Sequence, residues 1–465
     1  MSFSSYLSIG LLVLFGSALQ GYANGTADAL TVGIGFLFLG SGIVKLAFLS
    51  KESEQQAFLL TYAICIFVGG LAQVYSLSVF GVANNFIDGQ TFFNMISPRP
   101  PFMTMADMSS NYNFPLAIAI WQQVYRLVWL FGLDFKPQIA IMFNALLMGF
   151  SASITVATAR ELFGNDLWRL RRVGILFASC GLFILFGAVL LRDCFTTIFN
   201  AMALWGMVRW LVRPVLGNFL FALATTGISA CAMVYLRTAS AVMFGFFAFL
   251  AFLFWLQRER FNPAVIIVAL LVTCAMLIAL PNITRFLSTS QAYQERYAES
   301  YVAKNEDTMG EDSLGMRLIM NQPLPIRLIV GSGFLMIFPM PLWAYVRADV
   351  QAYHLIKTWH GFYQVSIMPL VLIGFLAVFR LSKSDFKRAI PLMFLLVYLL
   401  LNWLAVVATT MEQRHLAQFM PALLILAVVA DVREQKTGRE LKKIMTWWFI
   451  LVMLLHLAWV ILKAM

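Results

Sequence analysis

Ionisable side chains are scarce in this sequence, and a few of them could do chemistry. Only 12% of the 465 residues are charged. Asp88 stands in the segment PheIleAspGlyGln, where a carboxylate can act as a general base that deprotonates an attacking hydroxyl. The alternative is a solvated aspartate in a turn before Gly89. Arg99, in SerProArgProPro, and Asp107 are additional candidates in the same region.

A second group of candidates could bind phosphate. Arg192 and Asp193 end an apolar run in LeuLeuArgAspCysPhe, Arg237 lies in TyrLeuArgThrAlaSerAla, and Arg414 and His415 lie in GluGlnArgHis. A guanidinium at a bilayer surface can hold a lipid phosphate or diphosphate, Asp193 can orient Arg192, and histidine can move protons near neutral pH. The alternatives are arginines that snorkel from helix ends, an aspartate that caps a helix and an ordinary polar loop.

The sequence contains no established metal or nucleotide motif. GxxxxGK[ST], GxGxxG, HExxH and GxSxG are missing. The five cysteines form no CxxC pair, so neither a disulfide framework nor a zinc site is predicted. No cofactor follows from the sequence, and a divalent metal stays an unsupported alternative.

The elements that position these residues are apolar helices. Hydrophobic residues make up 61% of the chain and the mean hydropathy is +0.81, whereas soluble domains are about 45–50% apolar and about 25% charged. This composition excludes an ordinary soluble enzyme, a disordered chain and a nucleic-acid-binding domain. The net charge of +11 is assigned to basic loops on one side of a membrane. The expected partner is a lipid bilayer, with no nucleic acid.

Apolar runs of membrane-spanning length recur along the whole chain. We expect an all-α integral membrane protein, a single polytopic domain over 1–465, with about thirteen transmembrane helices. The runs lie at 4–22, 28–49, 57–80, 137–158, 174–191, 194–211, 215–236, 239–256, 263–280, 361–379, 389–409, 416–430 and 445–463. A further apolar stretch, 326–345, is broken by glycines and prolines, which favours a re-entrant or interfacial segment.

The distribution of basic residues predicts the orientation. With the N-terminus in the cytoplasm and 326–345 not crossing, most lysines and arginines fall in cytoplasmic loops. Two long segments then lie outside: 81–136, with an amphipathic stretch at 115–130, and 281–325. All the candidate site residues fall on this outer side, which predicts a site on the outer face.

The order of these motifs resembles a known group of proteins. An Asp88-bearing outer segment is followed by LeuPheGlyAsn at 162–165, LeuLeuArgAspCysPhe, a LeuArg turn and GluGlnArgHisLeuAlaGlnPheMetPro at 412–421. Over roughly 80–430 this resembles bacterial polytopic membrane proteins of polysaccharide assembly, related to GT-C glycosyltransferases. The resemblance implies a site on the periplasmic face of the bacterial inner membrane.

That resemblance also implies roles and partners. GT-C enzymes use polyprenyl-phosphate-linked sugar donors and a glycan acceptor, and their acidic residue in the first outer loop maps onto Asp88. Their arginine- or histidine-containing stretch near the last helices maps onto Arg414 and His415. The chain departs from the family because Gly89 follows Asp88 where a second acid is usual. This argues against a metal-dependent mechanism and leaves an O-antigen or capsule polymerase open.

Three hypotheses follow from the sequence. The first is a glycosyltransferase or polysaccharide polymerase, in which Asp88 is the base and the arginines with His415 bind the leaving phosphate. The second is a flippase or other carrier of lipid-linked oligosaccharides, for which charges at mid-membrane and two similar halves are typical. The third is a non-catalytic subunit of a polysaccharide assembly complex.

Overall fold

The chain folds into a bundle of helices. A computed structural model describes residues 3–49, 51–96, 115–258, 322–337, 350–409 and 413–464, and all regular elements within these ranges are helical. Nine of these helices are long and apolar enough to cross a membrane, and a bent pair raises the number to ten. The expectation of an all-helical chain with many apolar, membrane-length helices is confirmed for this part of the chain.

The helices are numbered here in chain order. The first eight are α1 Phe3–Asn24, α2 Asp28–Ala47, α3 Glu52–Phe80, α4 Ile87–Met95, α5 Pro115–Leu130, α6 Pro137–Phe163, α7 Leu167–Ser179 and α8 Gly181–Ala188. The others are α9 Asp193–Val212, α10 Leu216–Leu236, α11 Thr238–Arg258, α12 Leu324–Ile337, α13 Ala352–Ser384, α14 Phe386–Thr409, α15 Met420–Leu426 and α16 Gln435–Ala464, with a 3-10 helix at Gln413–Gln418. Every residue of α8 and of the short α15 is buried, and so are most residues of α6.

Local sequence signals explain several helix boundaries. The first turn of α3 carries Glu52 and Glu54, whose negative charges suit the N-terminal end of a helix dipole. This helix ends at Gly81, whose φ of 72° is left-handed and favours glycine. α6 starts with Pro137, which needs no backbone donor in the first turn.

The helices α7 and α8 form one broken span. They meet at Cys180 with their axes bent by 57°, so the apolar run predicted there is not a straight helix. Side chains of α13 compensate for the break: Trp359 Nε1 donates to the carbonyl of Ser179 at 2.9 Å, and the Tyr363 hydroxyl donates to that of Leu176 at 2.7 Å. A break at membrane depth is tolerated because protein groups, and not lipid, satisfy the backbone.

The bundle has two ends that can be told apart by their charged residues. Glu54, near the start of α3, accepts two hydrogen bonds of 2.6 Å from the Arg160 guanidinium, and Arg213 pairs with Glu161 nearby. We call this the Arg160 end. The 29 residues of α3 extend over about 43 Å and lead to α4, which carries Asp88, at the opposite end. We call that the Asp88 end.

The prediction of one membrane helix at 416–430 is wrong. The segment consists of the end of the 3-10 helix, the seven-residue α15 and turns. It nevertheless connects the two ends: Asp431 lies 3.8 Å from Arg169, which follows α6 at the Arg160 end, and Arg414 lies at the Asp88 end. Nearly all of its side chains are buried, which is the condition under which an irregular backbone can lie at this depth.

Other predicted segments are covered only in part. The stretch 115–130 forms α5, with one face buried in the bundle. The predicted span 263–280 and nearly all of the segment 281–325 lie outside the described residues. Within 326–345, the described part belongs to α12. The re-entrant path, the boundaries of the two outer segments and the number thirteen therefore stay predictions.

Candidate functional site

An ion pair joins the first candidate acid to a candidate phosphate ligand. Asp88 lies in the first turn of α4, and its Oδ2 is 2.9 Å from Nη1 of Arg414. The Asp88 side chain is 44% exposed and that of Arg414 is 20% exposed. The structure therefore brings the two predicted residues together, with the carboxylate on the more open side.

The 3-10 helix Gln413–Gln418 positions Arg414 and His415. It directly precedes α15, and its Leu416 and Ala417 are buried in the bundle. The hydroxyl of Tyr398, on α14, donates to the carbonyl of Gln418 at 3.3 Å. These contacts fix the backbone that carries the two polar side chains.

Arg237 contacts His415 directly. It is the C-cap residue of α10, and its Nη2 is hydrogen-bonded to Nε2 of His415. A guanidinium can only donate, so Nε2 is the acceptor. The neutral imidazole therefore carries its proton on Nδ1.

Three arginines act on His415 together. The pKa of His415 lies well below the ordinary value of 6.5, first because the ring is buried and then because of the positive charges of Arg237, Arg414 and Arg192. Arg192 is thereby close enough to act electrostatically on His415, and we include it in the cluster on that ground. Since His415 is neutral near pH 7, three guanidinium charges stand against two carboxylates, those of Asp88 and of Asp193, the neighbour of Arg192. The cluster has a net positive charge that suits an anion such as phosphate.

Arg192 and Asp193 lie where a short non-helical link leads into α9. Asp193 is 6% exposed and is the first residue of this helix, where the helix dipole stabilises a carboxylate. Its backbone carbonyl accepts hydrogen bonds from the hydroxyls of Thr196 and Thr197 at 2.9 and 2.8 Å. The structure thus places Asp193 beside Arg192, and its contact with a substrate stays a prediction.

Two predicted candidates cannot be placed. Arg99 and Asp107 lie outside the described residues. Their proposed roles therefore remain predictions from the sequence.

Sequence reasoning missed two residues near the cluster. Arg327, on α12, donates from Nη2 to the carbonyl of Ala408 at 2.7 Å, close to the end of α14. Its isolation in an apolar stretch was a signal that could have marked it. Asn144, within α6, is fully buried and hydrogen-bonded to the segment before Arg192. An uncharged amide in a long apolar run carries no comparable signal.

A narrow cleft opens next to α4. Its polar lining is uncharged and includes Gln73, Asn84 and Gln351. The rings of Phe86 and Tyr353 stack at its side, with centroids 4.6 Å apart. Asn84 Nδ2 is buried and has no hydrogen-bond partner among the described residues. The cleft beside α4 is thus uncharged and mostly apolar, with a few amide groups in its lining.

The described part of the chain offers no evident metal site. No three His, Cys, Asp or Glu side chains within it lie close enough together to hold a metal ion. The chemistry of the cluster is instead that of guanidinium groups, one neutral imidazole and the partly exposed carboxylate of Asp88. This set can bind a phosphate and accept a proton.

Comparison with known proteins gave no relative. No family model matches the chain, and no curated protein or solved structure matches it either. The resemblance to GT-C glycosyltransferases therefore rests on the short motifs of the sequence. Any functional proposal depends on the chemistry of the cluster.

Proposed function

We propose that this protein is an outer-face membrane glycosyltransferase or polysaccharide polymerase that uses polyprenyl-phosphate- or polyprenyl-diphosphate-linked sugar donors. The observation that carries the proposal is the cluster of Arg192, Arg237, Arg414 and a neutral His415 around the ion-paired Asp88. A cationic cluster at one end of an apolar bundle suits a ligand that combines a phosphate with a lipid tail.

The arginines would bind and neutralise the leaving phosphate. Guanidinium groups form paired, charge-assisted hydrogen bonds with phosphate oxygens. Their charge counts most when negative charge develops on the leaving group, because preorganised donors stabilise that state without reorganising. His415 accepts a hydrogen bond from Arg237 and so fixes the orientation of that guanidinium.

Asp88 would act as the general base. The acceptor hydroxyl oxygen attacks the anomeric carbon of the donor sugar, and a new glycosidic bond forms. The bond between that carbon and the phosphate oxygen breaks, and the phosphate leaves with the electron pair. Asp88 takes the hydroxyl proton. Its Arg414 partner, 2.9 Å away, would turn to the phosphate in the complex and free the carboxylate.

The uncharged cleft has a free volume of about 20 Å³, which admits a hydroxyl group of a glycan acceptor and not a whole sugar ring. Amide groups such as those of Asn84 and Gln351 can both donate to and accept from a sugar hydroxyl, whereas the Gln73 amide is already hydrogen-bonded to Asn24 and Gln20. Asn84 lies four residues before Asp88 in the chain, so a hydroxyl bound there would approach the proposed base. The cationic cluster would then bind the donor phosphate, and the neutral cleft would bind the acceptor hydroxyl.

The charges at the Arg160 end support the orientation expected from the sequence. Arg160, Arg169, Arg213, Arg380 and Arg433 all lie at that end. An excess of basic residues favours the cytoplasmic side. The Asp88 end would then face the periplasm of a bacterial inner membrane.

The test is the size distribution of surface and lipid-linked glycans in the parent strain. A deletion strain is compared with strains complemented by the wild type, by Asp88→Asn, or by Asp134→Asn as a matched control on an exposed aspartate. We expect the wild type and Asp134→Asn to restore the glycans and Asp88→Asn to fail at equal protein level. Collapse to single repeats on deletion identifies a polymerase, and loss of one sugar identifies a transferase.

The result also separates the remaining hypotheses. Unchanged glycans in the deletion strain would contradict the enzyme. Full rescue by Asp88→Asn would contradict the assignment of the base and bring forward a carrier or a non-catalytic subunit.

A further inference from the structure

Asn144 satisfies the backbone of the segment that leads to Arg192. It lies within α6, and its side chain is fully buried. Its Nδ2 donates to the carbonyls of Val189 and Leu191 at 3.3 and 2.9 Å. These carbonyls belong to the short non-helical link between α8 and α9, where the regular helical hydrogen bonds are interrupted. Without Asn144 the Val189 carbonyl would lose its side-chain donor, and that of Leu191 would keep the thiol of Cys194 at 3.2 Å, a weak donor. Loss of such hydrogen bonds inside the bundle is destabilising.

Trp121 fixes the orientation of this amide. Its Nε1 donates to Oδ1 of Asn144 at 2.9 Å. An indole N–H can only donate, so the amide oxygen must face Trp121. The amide nitrogen consequently faces the carbonyls of the link.

The same part of α5 also contacts the helix that carries Asp88. The Trp121 ring packs against Phe92 of α4, with centroids 5.8 Å apart, and against Phe195 of α9 at 5.3 Å. The neighbouring Gln122 donates from Nε2 to the carbonyl of Ile96, the C-cap of α4, at 2.9 Å. One short stretch of α5 therefore contacts both the helix of Asp88 and the helix that starts after Arg192.

We propose that Asn144 and Trp121 are positioning residues that hold Arg192 in register with the helix of Asp88. The inference rests on the proposed role of Arg192 in binding phosphate. Neither residue contacts the ligand in this proposal. Both act through the backbone of the link Val189–Leu191.

The test is a double-mutant cycle on the full-length protein in detergent. The affinity for geranyl diphosphate, a soluble prenyl diphosphate, is measured by calorimetry. We expect Asn144→Ala and Arg192→Gln each to weaken binding by about tenfold, since one hydrogen bond to a charged group contributes that much. The double variant should bind no more weakly than Arg192→Gln alone, whereas Asn144→Ala should add to the effect of Arg414→Gln. Additive losses with Arg192→Gln would overturn the proposal.

A second readout does not depend on the ligand. Hydrogen exchange of a peptide over 186–195 should be at least about tenfold faster in Asn144→Ala, because the link opens locally. Trp121→Phe keeps the ring but removes the donor, and it should give a smaller effect in the same direction. Asn402→Ala is the matched control, since within the described part of the chain this buried amide donates to the carbonyl of Tyr398 in its own helix and to no other element.

Affinity and hydrogen exchange together distinguish a failure of the proposed phosphate site from a failure of the positioning role. If Arg192→Gln leaves the affinity unchanged, the phosphate role of Arg192 in the proposed function fails. The exchange result then still decides the positioning role. Unchanged exchange in both Asn144→Ala and Trp121→Phe would overturn it.

Discussion

The Arg414 guanidinium lies 2.9 Å from the Asp88 carboxylate, so the proposed phosphate ligand and the proposed base neutralise each other. The pair is partly exposed, and such pairs contribute about 1 kcal/mol or less. A phosphate that competes for Arg414 therefore has to break only a weak ion pair. Binding of the phosphate to Arg414 and release of the Asp88 carboxylate would then occur together.

Asp88→Asn should separate binding from chemistry. The amide no longer neutralises Arg414, so we expect the affinity for geranyl diphosphate to rise by about threefold to fivefold. Sugar transfer should fall by about 100-fold or more, because general-base catalysis contributes that much. The affinity is measured by calorimetry, and transfer by analysis of glycan products.

Asp134→Asn is the control for this prediction, because Asp134 is exposed outside the cluster. It should change neither quantity. Weaker binding in Asp88→Asn would show that the carboxylate takes part in holding the ligand, which would contradict its role as a base alone.

Replacement of Arg237 by lysine should weaken the binding of a diphosphate. Arg237→Lys keeps the charge but cannot form the paired hydrogen bonds of a guanidinium. We expect geranyl diphosphate to bind about tenfold more weakly to Arg237→Lys and more weakly again to Arg237→Gln. The control is Arg388→Gln, whose side chain is 83% exposed at the Arg160 end. Equal affinities for the wild type and Arg237→Lys would show that Arg237 contributes only its charge to binding.

The stability of the protein should fall as the pH falls below about 6.5. The pKa of His415 is lowered in the folded chain, whereas an unfolded histidine has a pKa of about 6.5. Above that value neither state is protonated, and His415 makes no pH-dependent contribution. Below it the unfolded state takes up the proton first, so the free energy of unfolding falls by up to about 1.4 kcal/mol per pH unit.

His415→Gln removes this dependence. Melting temperatures of the wild type and the variant are compared in detergent at pH 7.5 and 5.5. The wild type should lose more stability on acidification than His415→Gln. Parallel pH profiles would mean that burial and the arginine neighbours do not hold His415 neutral.

The sequence was sufficient to choose candidate residues but not to predict how they meet. In so apolar a chain, charges are expensive at membrane depth, so their rarity was enough to select Asp88, Arg192, Arg237, Arg414 and His415. It could not predict that Arg414 pairs with Asp88 or that Arg237 bonds to His415. Those contacts depend on the packing of helices that are far apart in the chain.

Uncharged polar residues and irregular backbone were harder to predict from the sequence. Asn144 stands in a run of apolar and small residues, and hydropathy does not distinguish a functional amide from a structural one. The segment 416–430 is apolar enough to read as a helix, but its regular part is only the seven residues of α15. Its backbone is stable because other helices surround it, and that environment is not encoded in the segment itself.

Gly374→Ala tests how closely α13 approaches α15. A Cβ at Gly374 would lie 2.1 Å from the carbonyl oxygen of Leu426, so the helices must move apart. We expect the free energy of unfolding to fall by about 1–3 kcal/mol, as for other overpacked sites. Gly333→Ala is the control: it is also inside a helix but has no atom within 4 Å of the added carbon, and it should stabilise by about 0.5–1 kcal/mol.

Both variants are compared with the wild type by thermal unfolding in the same detergent. Because α15 directly follows the 3-10 helix that carries Arg414 and His415, displacement of α15 should also weaken the binding of geranyl diphosphate in Gly374→Ala. Gly333→Ala should leave that affinity unchanged. If Gly374→Ala melts no lower than Gly333→Ala, the close contact between α13 and Leu426 does not exist, and α15 does not anchor the cluster in the way the structure indicates.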